Sequence, residues 1–240
     1  MGVIEFSDRE IRISSLKGTG GRRQQGSSET FAIDAPPKSV QRFLRKMALL
    51  RSPVKILLSG QDALIRTLEI KGVSLKDMDS FIRFNAREYF TLDAEKSEYD
   101  YFIQDSSSKG AGEPISVVLA AFPRKELGRI FDFCKEHRVK IGGIEPLATL
   151  LHRSFPFKTN ACLVFVDGDT VHFLSSERGR LFMTTQFSLP EGIPAEENRA
   201  LVKENLSGYL EFFSSRHYGK QIEDAVVIGC LLYTSDAADE

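Results

Sequence analysis

The sequence predicts an α/β protein whose layout is duplicated, with an α+β unit inserted into the first half. Three observations predict it. Strand-like runs at residues 3–6, 11–16 and 30–33 lead into a helical pattern at 38–50, and a second set at 161–166, 171–175 and 180–187 leads into a helix at 195–216 and a strand at 225–228. Between the two sets lies a segment that alternates short strands and helices. Within that segment the apolar period changes from helical to strand-like in about thirty residues.

That change of period organises the middle of the chain. Leu75, Met78, Phe81, Ile82, Asn85, Ala86, Tyr89 and Phe90 recur at three- and four-residue steps, as one face of an amphipathic helix requires. Ser74 suits the N-cap, and Asp77 places a carboxylate near the positive helix N-terminus. The pattern breaks at Thr91. Tyr99, Tyr101 and Ile103 then alternate with Asp100, Phe102 and Gln104, the period of a strand on a packed sheet.

The first half opens with two strands joined by Ser7, Asp8 and Arg9. Residues 17–28 form a glycine-rich basic loop whose Arg22–Arg23 pair could meet a phosphate or an acidic partner, although a charged hairpin tip is the plainer reading. Pro36 and Pro37 open the helix at 38–50, with Val40, Phe43, Leu44, Met47 and Leu50 on one face and a solvated basic face opposite. Ser52–Pro53 begins the inserted unit. Its hairpin pairs 54–58 with 63–70, and the continuous apolar run at 115–122 reads as a central strand. A helix at 123–138 turns Leu127, Ile130, Phe131 and Cys134 inward, and a strand at 139–144 and a helix at 145–153 complete the unit. In the second half Asp167–Gly168 signals a tight hairpin, and Glu177 to Gly179 make another turn. Leu201, Val202, Leu206, Tyr209, Leu210 and Phe213 stripe the long helix, and the strand at 225–228 reads as buried.

Composition excludes several classes of function. The 240 residues carry 32 Lys and Arg against 33 Asp and Glu, so no net field attracts nucleic acid or an anionic membrane. No apolar run approaches the ~20 residues needed to span a bilayer, and the N-terminus lacks the layout of a signal peptide. Three scattered cysteines without a CxxC argue against a disulfide framework or zinc site. These features describe a cytoplasmic chain. Residues 230–240, CLLYTSDAADE, look like translated sequencing adapter, which makes the natural protein truncated near Gly229. Without Asp236, Asp239 and Glu240 the balance is 32 basic against 30 acidic residues, or +2.

Several phrases, in order, carry a resemblance: LIRTLEI at 64–70, the AREYF-TLD and YDY stretch at 86–101, VVLAAFPRKEL at 117–127 and GGIEPLATLLHR at 142–153. Over residues 1–229 the chain resembles the PilM family, the actin-like proteins of type IV pilus assembly related to FtsA. The resemblance implies an actin-like fold of the actin, Hsp70 and sugar-kinase superfamily. Residues 1–52 then form the first subdomain, 53–155 the inserted one and 156–229 the start of the second half.

Actin-like folds hold nucleotide phosphates on two glycine-containing hairpins, one in each half. The resemblance therefore assigns nucleotide contacts, if retained, to Ser7 in the first turn, to Gly168, Asp169 and Thr170 in the second, and to Glu204 facing the ribose. The sequence departs from that pattern. Phe6 stands where a glycine lets backbone approach phosphate, and Asp8, Asp167 and Asp169 bring negative charge to the phosphate positions. Weakened or absent binding of ATP and magnesium is expected, with no catalytic residue and no metal site. His137, His152, His172 and His217 are isolated, Cys134 and Cys162 lie in apolar patterns, and no GxSxG elbow is present.

The function implied is a cytoplasmic scaffold at the inner face of the membrane. It receives the cytoplasmic N-terminal peptide of a PilN-like membrane protein in a groove between the first unit and the inserted one, alongside other platform proteins of the pilus. The hairpin at 64–70 and the helix at 38–50 are the candidate walls. Two alternatives belong to other classes: an ATP-hydrolysing actin-like protein, with Asp167 or Asp169 as the activating carboxylate, and a GspL-like cytoplasmic domain of type II secretion.

Overall fold

The computed structural model describes residues 2–17, 24–35, 37–46, 49, 51–60, 63–89, 96–104, 113–216 and 219–229. Its contacts divide the chain into two compact units. The first comprises Met1–Leu64, Val73–Tyr101 and Leu119–Leu150, and the second Ile65–Gly72, Phe102–Val118 and Leu151–Glu240. The Arg22–Arg23 pair, Met47, Leu50, Phe90, Thr91, His217 and the tail 230–240 lie outside the described residues.

In the first unit β1 (Gly2–Phe6), β2 (Glu10–Lys17) and β3 (Gln24–Ala32) form an antiparallel meander. The expected basic loop is therefore shorter than residues 17–28, because Gln24 to Ser28 extend β3 and Ser28 Oγ lies 2.8 Å from Ser14 Oγ. β4 (Val54–Leu58) and β8 (Ile141–Pro146) join the same sheet in the order β3-β2-β1-β4-β8, with β4 parallel to both β1 and β8. Both strands fall in the segment assigned to the insertion, so this sheet draws on residues well beyond 52. A parallel pair needs a long crossover, and the chain between β4 and β8 supplies one that ends in α3 (Arg124–Glu136).

One face of this sheet is closed by α1 (Pro37–Lys46) and α3. Val40, Phe43 and Leu44 of α1 join Ile4, Ile13, Ile56, Ile130 and Cys134 in one core. Phe131 is not part of it: at 49 % exposure it faces solvent, and Phe133 packs inward instead. Ile130, Phe133 and Cys134 share a face at steps of three and four, whereas position 131 lies about 100° around the helix from 130.

The remaining strands of the insertion, β5 (Leu64–Ile70), β6 (Ser97–Ile103) and β7 (Ile115–Pro123), make a third sheet in the order β5-β7-β6. β7 is its central strand, and Val117, Val118 and Leu119 are at most 1 % exposed. α2 (Met78–Tyr89) buries Met78, Ile82 and Ala86, while Leu75, expected on that stripe, is 55 % exposed before the helix begins. Ser74 fixes the turn there by accepting from the Asp77 N–H at 3.3 Å.

The second unit repeats the first sheet's topology. β9 (Asn160–Asp167), β10 (Thr170–Glu177) and β11 (Arg180–Ser188) are antiparallel, and β12 (Asp224–Gly229) runs parallel to β9, in the order β11-β10-β9-β12. The order matches β3-β2-β1-β4, so the duplicated layout of the sequence is present in both sheets. α4 (Leu147–Ser154) precedes β9, and α5 (Ala195–Arg216) covers the second sheet with Val202, Tyr209 and Phe213. The core centres on Phe173, whose ring lies 5.4 Å from Tyr209 and 5.5 Å from Phe187. β12 departs from the expected buried strand: Val227 is 69 % exposed, since among the described residues β12 pairs with β9 alone. Among the described residues no helix is long and apolar enough to cross a membrane.

Candidate functional site

The turn after β1 carries Ser7, and its hydrogen bonds are spent within the turn. Ser7 N–H donates to the Glu10 carbonyl at 3.0 Å, the Ser7 hydroxyl lies 3.2 Å from the same oxygen, and Glu10 N–H donates to Ser7 Oγ at 3.0 Å. Phe6 does not stand in front of the turn. Its ring is buried and meets Phe133 of α3 edge to face at 5.2 Å. Gly60, after β4, lies against Asp8, whose exposed carboxylate would have to swing aside for a side chain at position 60.

These residues border a cleft of about 580 Å³ in the first unit. Phe6, Ile11, Ile33, Phe122, Ile130 and Phe133 give it an apolar lining, with Ser7, Asp8 and Gly60 at the turn and Glu126 and Arg129 on α3. Arg129 Nη1 and Glu126 Oε2 pair at 2.7 Å, one helical turn apart. Both partners are partly exposed, so the pair contributes at most ~1 kcal/mol and mainly orients the rim. The shape and lining suit an apolar side chain with a short stretch of backbone.

The candidate walls are elsewhere. Neither α1 nor β5 supplies a described residue to this cleft, and residues 65–72 belong to the second unit. The residues missed are Phe122, Glu126, Arg129, Ile130 and Phe133. Their signal was the phrase VVLAAFPRKEL, which places an aromatic at the end of a buried strand and opens α3 directly after it.

In the second unit Gly168, Asp169 and Thr170 are brought together at the β9–β10 turn. Gly168 has φ of 60°, the left-handed conformation its residue type tolerates. Thr170 Oγ1 donates to Asp169 Oδ1 at 3.1 Å, and the Asp169 carbonyl accepts from Leu189 N–H at 2.6 Å. The threonine hydroxyl thus points its proton at a carboxylate of its own turn. Glu204 is exposed on α5, on the side away from the Val202 and Tyr209 stripe.

Cys134, Cys162, His137 and His172 are buried, and His152 is partly buried. Burial pushes the Cys134 and Cys162 thiols up to about 11, which leaves almost no thiolate near neutrality. Burial also lowers His137, His152 and His172, against a small opposing pull from Glu136 on His137 and from Asp167 on His172. His152 Nε2 lies 3.3 Å from Ser176 Oγ, and the His137 ring lies 4.6 Å from Phe133. Among the described residues no group of three His, Cys, Asp or Glu could hold a metal ion.

No family model and no curated protein matches the sequence. Solved structures do. A PilM–PilN type IV pilus biogenesis complex aligns with a TM-score of 0.73 at 11 % identity, covering 95 % of this chain and 81 % of that one. The cytoplasmic domain of EpsL, an inner-membrane component of the type II secretion system of Vibrio cholerae, aligns with a TM-score of 0.59 at 13 % identity, covering 95 % and 84 %. A Bacteroides thetaiotaomicron protein of unknown function with an actin-like ATPase fold aligns at 0.54 and 13 % identity, covering 98 % and 82 %. At these identities the likeness establishes the fold, which is actin-like.

Proposed function

We propose that the chain is a cytoplasmic scaffold of type IV pilus assembly that binds the cytoplasmic N-terminal peptide of a PilN-like membrane protein and has lost its hold on nucleotide. The observation that carries the reading is the apolar cleft beside a first turn in which the Ser7 hydroxyl and the Ser7 and Glu10 N–H groups are already hydrogen-bonded to each other's residues. An extended peptide can bury an aliphatic side chain between Phe6, Ile33 and Phe133 while its backbone passes Ser7 and Gly60. The likeness to a structure described as a PilM–PilN complex supports that choice of partner. Other platform proteins of the pilus would attach through the same scaffold.

ATP with magnesium remains the ligand this fold suggests. Ser7, Gly168, Asp169, Thr170 and Glu204 would be its contacts, and the Asp169 carboxylate accepting from Thr170 Oγ1 opposes a phosphate there. On this reading the chain is not an ATPase. The similarity to the EpsL cytoplasmic domain favours a second reading, a secretion-system scaffold of the same fold with a different partner.

Isothermal titration calorimetry separates these readings. The chain is titrated with the synthetic N-terminal peptide of a PilN-like protein from the same genome, with the corresponding peptide of a secretion-system partner, and with Mg-ATP. Micromolar binding of the first alone is the expected result. Micromolar binding of Mg-ATP would overturn the degenerate-site reading, and binding of the second peptide alone would move the chain to secretion.

A further inference from the structure

In the second unit several polar contacts converge on two residues at the start of β11. Leu181 directs its backbone groups away from β10: its N–H donates to Gln104 Oε1 at 2.6 Å, and its carbonyl accepts from Gln104 Nε2 at 2.9 Å. The same carbonyl accepts from Thr67 Oγ1 of β5 at 3.1 Å. The adjoining Arg180 places its guanidinium 3.5 Å from Glu69 of β5 and 3.6 Å from Glu177. Gln104 is itself held in place. Its N–H donates to the Ser116 carbonyl at 2.9 Å, and Nε2 lies 3.2 Å from Ser116 Oγ.

A primary amide presents one donor and one acceptor side by side in a plane, the same pair that a strand residue offers its neighbour. β11 is the outer strand of its sheet, and an outer strand exposes a row of N–H and C=O groups that natural folds cover or interrupt. At Leu181 that row is covered by side chains, Gln104 on both backbone groups and Thr67 on the carbonyl alone. The strand is also irregular here, since its pairing with β10 skips Phe182 between Leu181 and Met183.

We infer that Gln104 acts as a one-residue substitute strand, capping the outer edge of β11 at Leu181 and fixing residues 65–70, 102–104 and 115–118 of the inserted sheet to the second sheet. Thr67 and the Arg180–Glu69 pair flank the contact and set its register. The seam is polar and the Arg180–Glu69 pair is partly exposed, so this edge opens locally, without unfolding the core around Phe173. The inference is independent of which peptide or nucleotide the chain binds.

Residue-resolved hydrogen exchange on the full chain tests it, with Q104A and Q104E compared against the parent. In Q104A the Leu181 amide is expected to exchange about tenfold faster, as loss of one protecting hydrogen bond implies, while the Val164 and Phe173 amides keep their rates. Q104E retains the side chain's shape but turns the donor into an acceptor facing the Leu181 carbonyl, so acceleration there is equal or greater. An unchanged Leu181 amide in Q104A, parent-like exchange in Q104E, or equal acceleration throughout β9 and β10 would each overturn the inference.

Discussion

Replacing Ile33 by alanine tests whether the cleft of the first unit receives an apolar side chain. Ile33 lines the cleft yet is 47 % exposed, so about half of its side chain remains to be buried by a ligand. The substitution removes three carbons at ~0.8 kcal/mol each, and the exposed share gives a binding loss of ~1.1 kcal/mol, or about sixfold in Kd. The buried share costs a similar ~1 kcal/mol of stability, a fall of about 2–4 °C in Tm for a chain of this size. Ile130, which lines the same cleft at 4 % exposure, behaves oppositely. Its replacement by alanine empties space in the first core and costs ~2–5 kcal/mol of stability. The assay pairs thermal unfolding with calorimetric titration of the PilN-like peptide, using Ile33→Ala and also Ile33→Asp, which puts a charge on the apolar lining. If Ile33→Asp binds the peptide as the parent does, the peptide lies elsewhere and the argument from this cleft is wrong.

Three further outcomes concern the second unit and the three histidines of lowered pKa. Tyr209 is buried with its hydroxyl 3.0 Å from Ser175 Oγ and 2.9 Å from the Met183 carbonyl, so Tyr209→Phe should cost ~1–2 kcal/mol in chemical denaturation; adding Ser175→Ala should cost less than the sum of the two singles, and strict additivity counts against a shared network. Gly168→Ala meets no atom within 4 Å, so its cost is backbone strain alone, ~1 kcal/mol from the positive φ, read as a drop in Tm. His137, His152 and His172 bind a proton less readily when folded, so the unfolded chain takes up more protons as pH falls below about 6.5. Their contribution to stability is therefore intact above that pH and declines below it; urea midpoints at pH 7.5 and 5.5 should fall less for His172→Asn than for the parent, and equal slopes refute the assignment.

What was legible in the sequence was what neighbouring residues decide. The run at 117–122 is apolar because both faces of β7 are buried there, and Asp167 and Gly168 announce a turn because glycine accepts the φ the turn needs. Pairing between distant strands was not legible in the same way. β4 and β8 look like members of the insertion because they flank it, yet their register is set against β1 and each other across some ninety residues. Helix phase failed at one position: Phe131 and Phe133 are both aromatic, and only Ile130 and Cys134 decide which faces the core. The cleft was missed for the same reason as the sheet, since β1, β2, the residues that follow β3 and β4, the end of β7 and α3 meet there only after the crossover closes.

The choice between nucleotide and peptide turns on a four-residue loop. A hairpin that binds phosphate must offer N–H groups that nothing else has claimed. After β1, Ser7 and Glu10 are joined by three hydrogen bonds that use both N–H groups and the serine hydroxyl. Opening them to receive a phosphate costs up to ~3 kcal/mol at ~1 kcal/mol each, more than a hundredfold in affinity. The Asp8 carboxylate in the same turn adds repulsion rather than compensation. An aliphatic side chain entering beside Phe6 and Phe133 breaks none of these bonds and removes apolar surface from water as it enters. On the proposed reading, that difference in cost at the Ser7–Glu10 turn is what favours a peptide over a nucleotide.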